Sequence, residues 1–294
     1  MYDTILVGID DSEFSKSALI EVSNWVKRNG GKIVLVHAVY FDEEEFSIAS
    51  EQLEKRFEIG KKVCIQRKKI LSSEFGLNGN VESLVCEGEP PDVIVDIAKE
   101  KKADLIALGT YGRKGLRRLF MGSVTSGVIV NSPCDVLVVK KPCIECRGRY
   151  NSILLPFDGS EFSKKALNQA CRLSQADGAV SQNNGADVTV LYVIPRYEEM
   201  IDFLKTSSIK QSMMQEALKI TNQARELALR HGVSVKTEII EGQAAEKIIE
   251  TSNRMKNDLI VMGSYGWRGV SKAILGSTAE RVIMNASCPV LVVR

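Results

Sequence analysis

The stretch TILVGIDDSEFSKSAL at 4–19 is answered by SILLPFDGSEFSKKAL at 152–167, an offset of 148. In each copy an apolar run gives way, through an aspartate (Asp10, Asp158) and a serine (Ser12, Ser160), to a helical pattern. That order reads as strand, turn and capped helix, and its recurrence marks a duplicated supersecondary unit. Further on, DLIALGTYGRKGLRRLFMGS at 104–123 matches DLIVMGSYGWRGVSKAILGS at 258–277, and SPCDVLVVK at 132–140 matches SCPVLVVR at 287–294. There the offset is 154 (258 less 104), so the second copy carries extra residues. The polar, glycine-rich QADGAVSQNNGAD at 175–187 is predicted to hold them as a surface loop.

Each copy alternates Val/Ile/Leu-rich runs with longer helical patterns. In the first, TILVGI, KIVLVHAV, VESLVC, DLIALG and DVLVV read as strands buried on both faces. The helix after the first run starts at Ser12, its N-cap, and stops at Gly30-Gly31, and a later one opens on Pro90-Pro91. The expected fold is α/β: two tandem, doubly wound, five-stranded parallel-sheet domains of Rossmann-like form. The proline, glycine and charges of KKPCIECRGRY at 140–150 suit a linker, so the domains are drawn at 1–142 and 150–294, with 143–149 between them.

Composition narrows the function. Of 294 residues, 39 are basic and 37 acidic, leaving a net charge of +2 with no concentrated basic field, which argues against nucleic acid as a partner. No apolar stretch reaches the roughly 20 residues that cross a bilayer, so the expectation is a cytoplasmic protein without a membrane partner. Seven cysteines, among them Cys134, Cys171 and Cys288 in apolar settings, read as reduced thiols. With only His37 and His231 available, histidine-based catalysis has little raw material. His37 is expected to be packed near the sheet's edge, and His231, beside Gly232, to meet helix-terminal carbonyls.

In open parallel sheets ligands bind beyond the carboxyl ends of the strands. There both copies carry one spacing: Gly109, Gly112, nine residues, Gly122-Ser123, and Gly263, Gly266, nine residues, Gly276-Ser277. Glycine admits close approach and positive φ, and amides at a following helix start face an anion with the helix dipole behind them. Ser123 either caps that helix or bonds a phosphate. Asp10 and Asp158, at the ends of the first strands, can accept from a ribose hydroxyl or an adenine amine, or serve only as helix caps. Arg113, Lys114 and Arg268 place cations near the turns.

The pattern Gly-x-x-Gly-x9-Gly-Ser after a Val/Leu-rich strand, with an Asp ending strand one, resembles the universal stress protein family. More narrowly, it is similar to the tandem two-domain form of its ATP-binding branch. By that resemblance Ile9, Asp10 and Ala38 would face adenine and ribose, as would Phe157, Asp158 and Val193 in the second copy. Leu108, Gly109, Tyr111 and Gly112 would line the ribose-phosphate side, and Gly122, Ser123, Val124 and Thr125 the phosphates. Met262, Gly263, Tyr265, Gly266, Gly276, Ser277 and Thr278 match them. Ala279 lacks the Thr125 hydroxyl, which with the bulky Trp267 predicts unequal sites.

The expected function is therefore regulatory binding of ATP, ADP or AMP in stress, one site per domain, with Mg2+ accompanying ATP. Intrachain pairing of the domains and a homodimer are also expected. No Walker lysine or general base stands beside the motif, so any ATP hydrolysis should be slow. The alternative is a nucleotide-independent interaction scaffold docking partners on the long helices that follow strand two. A phosphoacceptor receiver fails because VESLVC ends in Cys86-Glu87 without the required aspartate. Cys143 and Cys146 have zinc half-site spacing that only two chains together would complete.

Overall fold

The computed structural model describes residues 2–40, 50–110, 121–140, 148–175, 185–195, 207–264 and 275–294. Two compact units span Tyr2–Arg149 and Tyr150–Val293. The first runs β1 (Thr4–Gly8), α1 (Glu13–Asn29), β2 (Lys32–Val39), α2 (Ser50–Phe75), β3 (Val81–Glu87), α3 (Pro90–Glu100), β4 (Leu105–Gly109), α4 (Ser123–Asn131), β5 (Asp135–Val139). The second repeats that order: β6 (Ser152–Pro156), α5 (Glu161–Gln175), β7 (Asp187–Pro195), α6 (Ser207–Arg230), β8 (Val235–Gly242), α7 (Ala244–Met255), β9 (Leu259–Gly263), α8 (Ser277–Asn285), β10 (Val290–Val293).

Within the first unit the parallel strands lie in the order β3-β2-β1-β4-β5, and within the second β10-β9-β6-β7-β8. The chain winds outward from β1 through β2 to β3, then returns to the other side of β1 for β4 and β5. The doubly wound expectation is met in both units. β1, β2 and β4 are almost wholly buried, and Ile5, Leu6, Ile33, Leu35 and Ile106 form the core between the helix layers. β3 departs from the expectation: every residue is half-buried or exposed, because an outermost strand lacks a second neighbour and full helix cover.

Sequence caps act as written. The Ser12 hydroxyl accepts from the Ser15 amide at 3.2 Å and starts α1, and the Ser160 hydroxyl accepts from Ser163 at the same distance. The start of each first strand is pinned by the aspartate preceding β4 or β9. Asp104 accepts from the Asp3 and Thr4 amides at 3.0 and 2.9 Å, and Asp258 from those of Asn151 and Ser152 at 2.8 and 3.0 Å. At the nominal linker, Gly148 takes φ +66°, and a Cβ there would stand 2.2 Å from the Asn24 carbonyl carbon, so it packs onto α1. The predicted loop at 175–187 lies largely outside the described residues. Among the described residues no helix is long and apolar enough to cross a membrane.

Candidate functional site

The winding reverses between β1 and β4, which run in register from Ile5 beside Leu105 to Val7 beside Ala107. Their carboxyl ends open the crevice where doubly wound sheets take ligands. On one side stands the Ile9–Ser12 turn; on the other, Gly109-Thr110 and the start of α4. β6 and β9 repeat the arrangement, with Ile153 beside Leu259.

Asp10 is fixed on several sides. Its Oδ1 accepts from the Ser12 amide at 2.9 Å and the Ser12 hydroxyl at 2.5 Å, and its own amide donates to the Ser15 hydroxyl at 3.2 Å. The carboxylate thus supports the N-cap, which makes the capping reading true as far as Oδ1 is concerned. Asp158 repeats this with the Ser160 amide at 3.0 Å. Two side chains outside the expected site reach the same turn. His37 Nδ1 donates to the Ile9 carbonyl at 2.8 Å, and Arg67, from α2, donates to the carbonyls of Asp10 at 2.9 Å and Ser12 at 3.1 Å. His37 is buried on β2, one strand in from the outermost β3, the expected packed place near the sheet's edge. His231 differs from expectation: its Nε2 meets the Asn168 side chain at 2.9 Å, tying the end of α6 to α5.

Gly109 and Gly263 act through space and not through positive φ. A Cβ on Gly109 would lie 2.6 Å from the Phe14 carbonyl carbon, and one on Gly263 would lie 2.7 Å from Phe162 Cβ. The first turn of α1 or α5 rests directly on the end of the neighbouring strand, and only a bare Cα leaves it room. Gly122 and Gly276 have φ of −56° and −61°, ordinary extended values, so positive φ is not their reason either. Each is the N-cap of its helix and supplies no capping side chain. Ser123 and Ser277 stand one position inside and do not cap, which answers one half of the question about Ser123.

The glycine N-caps of α4 and α8 therefore bring no side-chain cap to the first-turn amides at the crevice end of the sheet. Thr125 is buried and donates its hydroxyl to the Gly109 carbonyl at 2.9 Å, a structural tie and not a free donor for a phosphate. Thr110 and Ser264, directly after the strand glycines, bury their hydroxyls without a hydrogen-bond partner among the described residues. The first turn of α4 has no acidic residue, whereas α8 carries Glu280 there.

The other expected site residues divide by exposure. The side chains of Ile9, Leu108, Phe157 and Met262 are buried in the core, so only their backbone can meet a ligand. Asp10, Ala38, Val124, Asp158, Val193 and Thr278 are half-buried, and Ser123 and Ser277 exposed. Tyr111, Gly112, Arg113, Lys114, Tyr265, Gly266, Trp267, Arg268, Cys143 and Cys146 lie outside the described residues. No cluster of three or more His, Cys, Asp or Glu suited to a metal occurs among the described residues. Burial raises the Cys134 and Cys171 thiols to about 11 and raises Cys64, Cys86 and Cys288 as well, so these thiols are protonated and inert at neutral pH.

Arg67 was legible in principle. Gly60, Val63, Cys64, Arg67 and Leu71 recur at helical spacing on the buried face of α2, and an arginine within such a stripe is itself a signal.

The geometry defines a class: two doubly wound α/β units in one chain, each with an aspartate turn and a glycine-led helix facing one switch-point crevice. The chain belongs to the universal stress protein family, whose profile matches it twice, over residues 1–140 and 149–294. A universal stress protein of Methanocaldococcus jannaschii is 38% identical over 149 residues, covering 49% of this chain and 82% of the relative. One from Bacillus subtilis is 32% identical over 154 residues, covering 49% and 99%. A universal stress protein structure from Archaeoglobus fulgidus matches the fold with a TM-score of 0.72 at 21% identity, covering 99% of this chain and 96% of that one.

Proposed function

We propose that this chain is an adenine-nucleotide binding, stress-response regulatory protein with one site in each of two domains, 1–142 and 150–294, joined by 143–149. The observation that carries it is the repeated juxtaposition at the switch point. An anchored aspartate (Asp10 or Asp158) stands on one strand end, and a helix whose N-cap is a glycine without a capping side chain (Gly122 or Gly276) follows the next.

Chemistry assigns the halves of the ligand. First-turn amides behind a glycine N-cap, with the helix dipole behind them, suit phosphate, and a carboxylate at the end of the first strand suits a ribose hydroxyl or an amino group. On this reading Ile9, Asp10, Ala38 and Leu108 take base and ribose, Gly122, Ser123, Val124 and Thr125 take phosphate through their backbone amides, and Gly109, Tyr111, Gly112 and Arg113 lie between. The second domain uses Phe157, Asp158, Val193, Met262, Gly263, Tyr265, Gly266, Gly276, Ser277 and Thr278. With no acidic cluster among the described residues, Mg2+ would enter on the phosphate oxygens of ATP and largely keep its waters. Hydrolysis is at most slow, because the motif carries no Walker lysine and no general base stands beside it. Cytoplasmic location, pairing of the domains within the chain, and a homodimer belong to the same proposal.

A nucleotide-independent scaffold is the second reading, favoured by exposed apolar residues on the long helices: Ile59 and Ile65 on α2, and Met214, Leu218 and Leu229 on α6. Mass spectrometry of freshly purified, denatured protein separates the two. Co-purified ATP, ADP or AMP supports binding; empty protein that also ignores added nucleotide supports the scaffold.

A further inference from the structure

Taking the Ile9–Ser12 turn as part of a nucleotide site, as above, we propose that Arg67 is a positioning residue that sets the Asp10 backbone and makes domain one the tighter of the two sites. Arg67 is 7% exposed, and its Nε has no hydrogen-bond partner. No carboxylate among the described residues forms an ion pair with it. Burying a guanidinium without a counter-charge is costly, and a small apolar residue would close the same face of the helix. What the arginine supplies in return is one nitrogen, Nη2, donating to both the Asp10 and Ser12 carbonyls at 2.9 and 3.1 Å.

With His37 on the Ile9 carbonyl at 2.8 Å, three carbonyls of one turn are held by side chains from neighbouring elements. The Asp10 amide and Oδ1 are already engaged by Ser15 and Ser12. The aspartate therefore presents its remaining oxygen in one geometry before any ligand arrives, and a preorganised site loses less on binding.

Domain two has no arginine at the matching place. The buried stripe of α6 is Ala217, Thr221, Ala224 and Ala228, whose spacing repeats Gly60, Cys64, Arg67 and Leu71 of α2 and sets Ala224, with no donor, where Arg67 stands. The backbone differs accordingly. Gly159, the counterpart of Asp11, takes φ +81°, a left-handed value that Asp11 does not adopt. An open groove lies over this turn, lined by Asp158, Gly159, Lys164, Lys219, Ile220 and Gln223 among others. The aspartate and N-cap persist in domain two, but on a differently run backbone beneath an open groove.

The test is calorimetric titration with ATP of chains reduced to one site, Gly276→Val leaving domain one and Gly122→Val leaving domain two. Domain one should bind more tightly. Arg67→Met should weaken it about tenfold or more and leave domain two unchanged, since a charged donor to two carbonyls is lost. Arg67→Lys keeps a charged nitrogen with several donors but on a shorter side chain, and should weaken binding by a smaller factor, with melting above the titration temperature establishing that the domain is folded. A residue that served stability alone would lower the melting temperature without changing this affinity. Unchanged affinity of domain one after both Arg67 substitutions overturns the proposal while the nucleotide reading stands. Failure of the unsubstituted chain to bind ATP overturns both.

Discussion

The Thr125 hydroxyl donates to the carbonyl of Gly109 at 2.9 Å, lashing the first turn of α4 to the end of β4. Domain two has Ala279 at this place and no such tie. Thr125→Val should lower the stability of domain one by about 1–2 kcal/mol, because the buried carbonyl loses its donor. Thermal unfolding and amide exchange in α4 would register it. ATP affinity should move by no more than about twofold. A large loss of affinity at unchanged stability would instead put this hydroxyl on the phosphate.

Gly109→Ala and Gly263→Ala introduce a Cβ 2.6 to 2.8 Å from backbone or Cβ atoms of Phe14 and Phe162. Backbone at a helix start yields little, so each should cost about 1–3 kcal/mol as an overpacking change. Thermal melting should fall for both. A neutral result would show that α1 and α5 can slide away from the sheet.

Glu280 in the first turn of α8 opposes any phosphate at that helix start, where domain one has Ser126. In a chain carrying Gly122→Val, Glu280→Ser should tighten ATP binding to domain two by about two- to fivefold, the range of a helix-terminal charge effect. The gain should shrink as salt is added. An unchanged affinity at low salt would remove the charge from the account.

Cys134 and Cys171 have thiols pushed by burial from 9.0 to about 11. A folded pKa above the unfolded one means their contribution to stability is complete below pH 9 and is lost as pH rises toward 11. Unfolding midpoints should therefore fall between pH 9 and 11, and less so in Cys171→Ala measured against its own midpoint at pH 8. Alkylation of both thiols at pH 8 should be slow in the folded chain and fast in urea.

Much of this was legible in the residues themselves. The runs from TILVGI to DVLVV became β1 to β5 because their period and β-branching leave few alternatives, and Ser12 became an N-cap because a serine before Glu13 and an amphipathic run rarely does anything else. The spacing that pointed to Gly109 and Gly122 was informative for reasons the pattern does not contain. Gly109 yields space to Phe14, and Gly122 is an N-cap without a capping side chain; neither uses positive φ. Thr125 looked like a phosphate ligand from its place in the motif, and only the path of β4 shows its hydroxyl turned to Gly109. Arg67 escaped because lysines and arginines crowd KKVCIQRKK and hide the inward stripe that α2 lays over β2 and β3. The half-exposure of β3 followed from strand order, which a run of apolar letters does not encode.

The central claim, one nucleotide site per domain with phosphate at the glycine-led helix, is tested most directly by titrating ATP into four chains: unsubstituted, Gly122→Val, Gly276→Val, and both together. The account predicts two sites, one, one and none, in folded proteins. Undiminished binding in the double variant would contradict it.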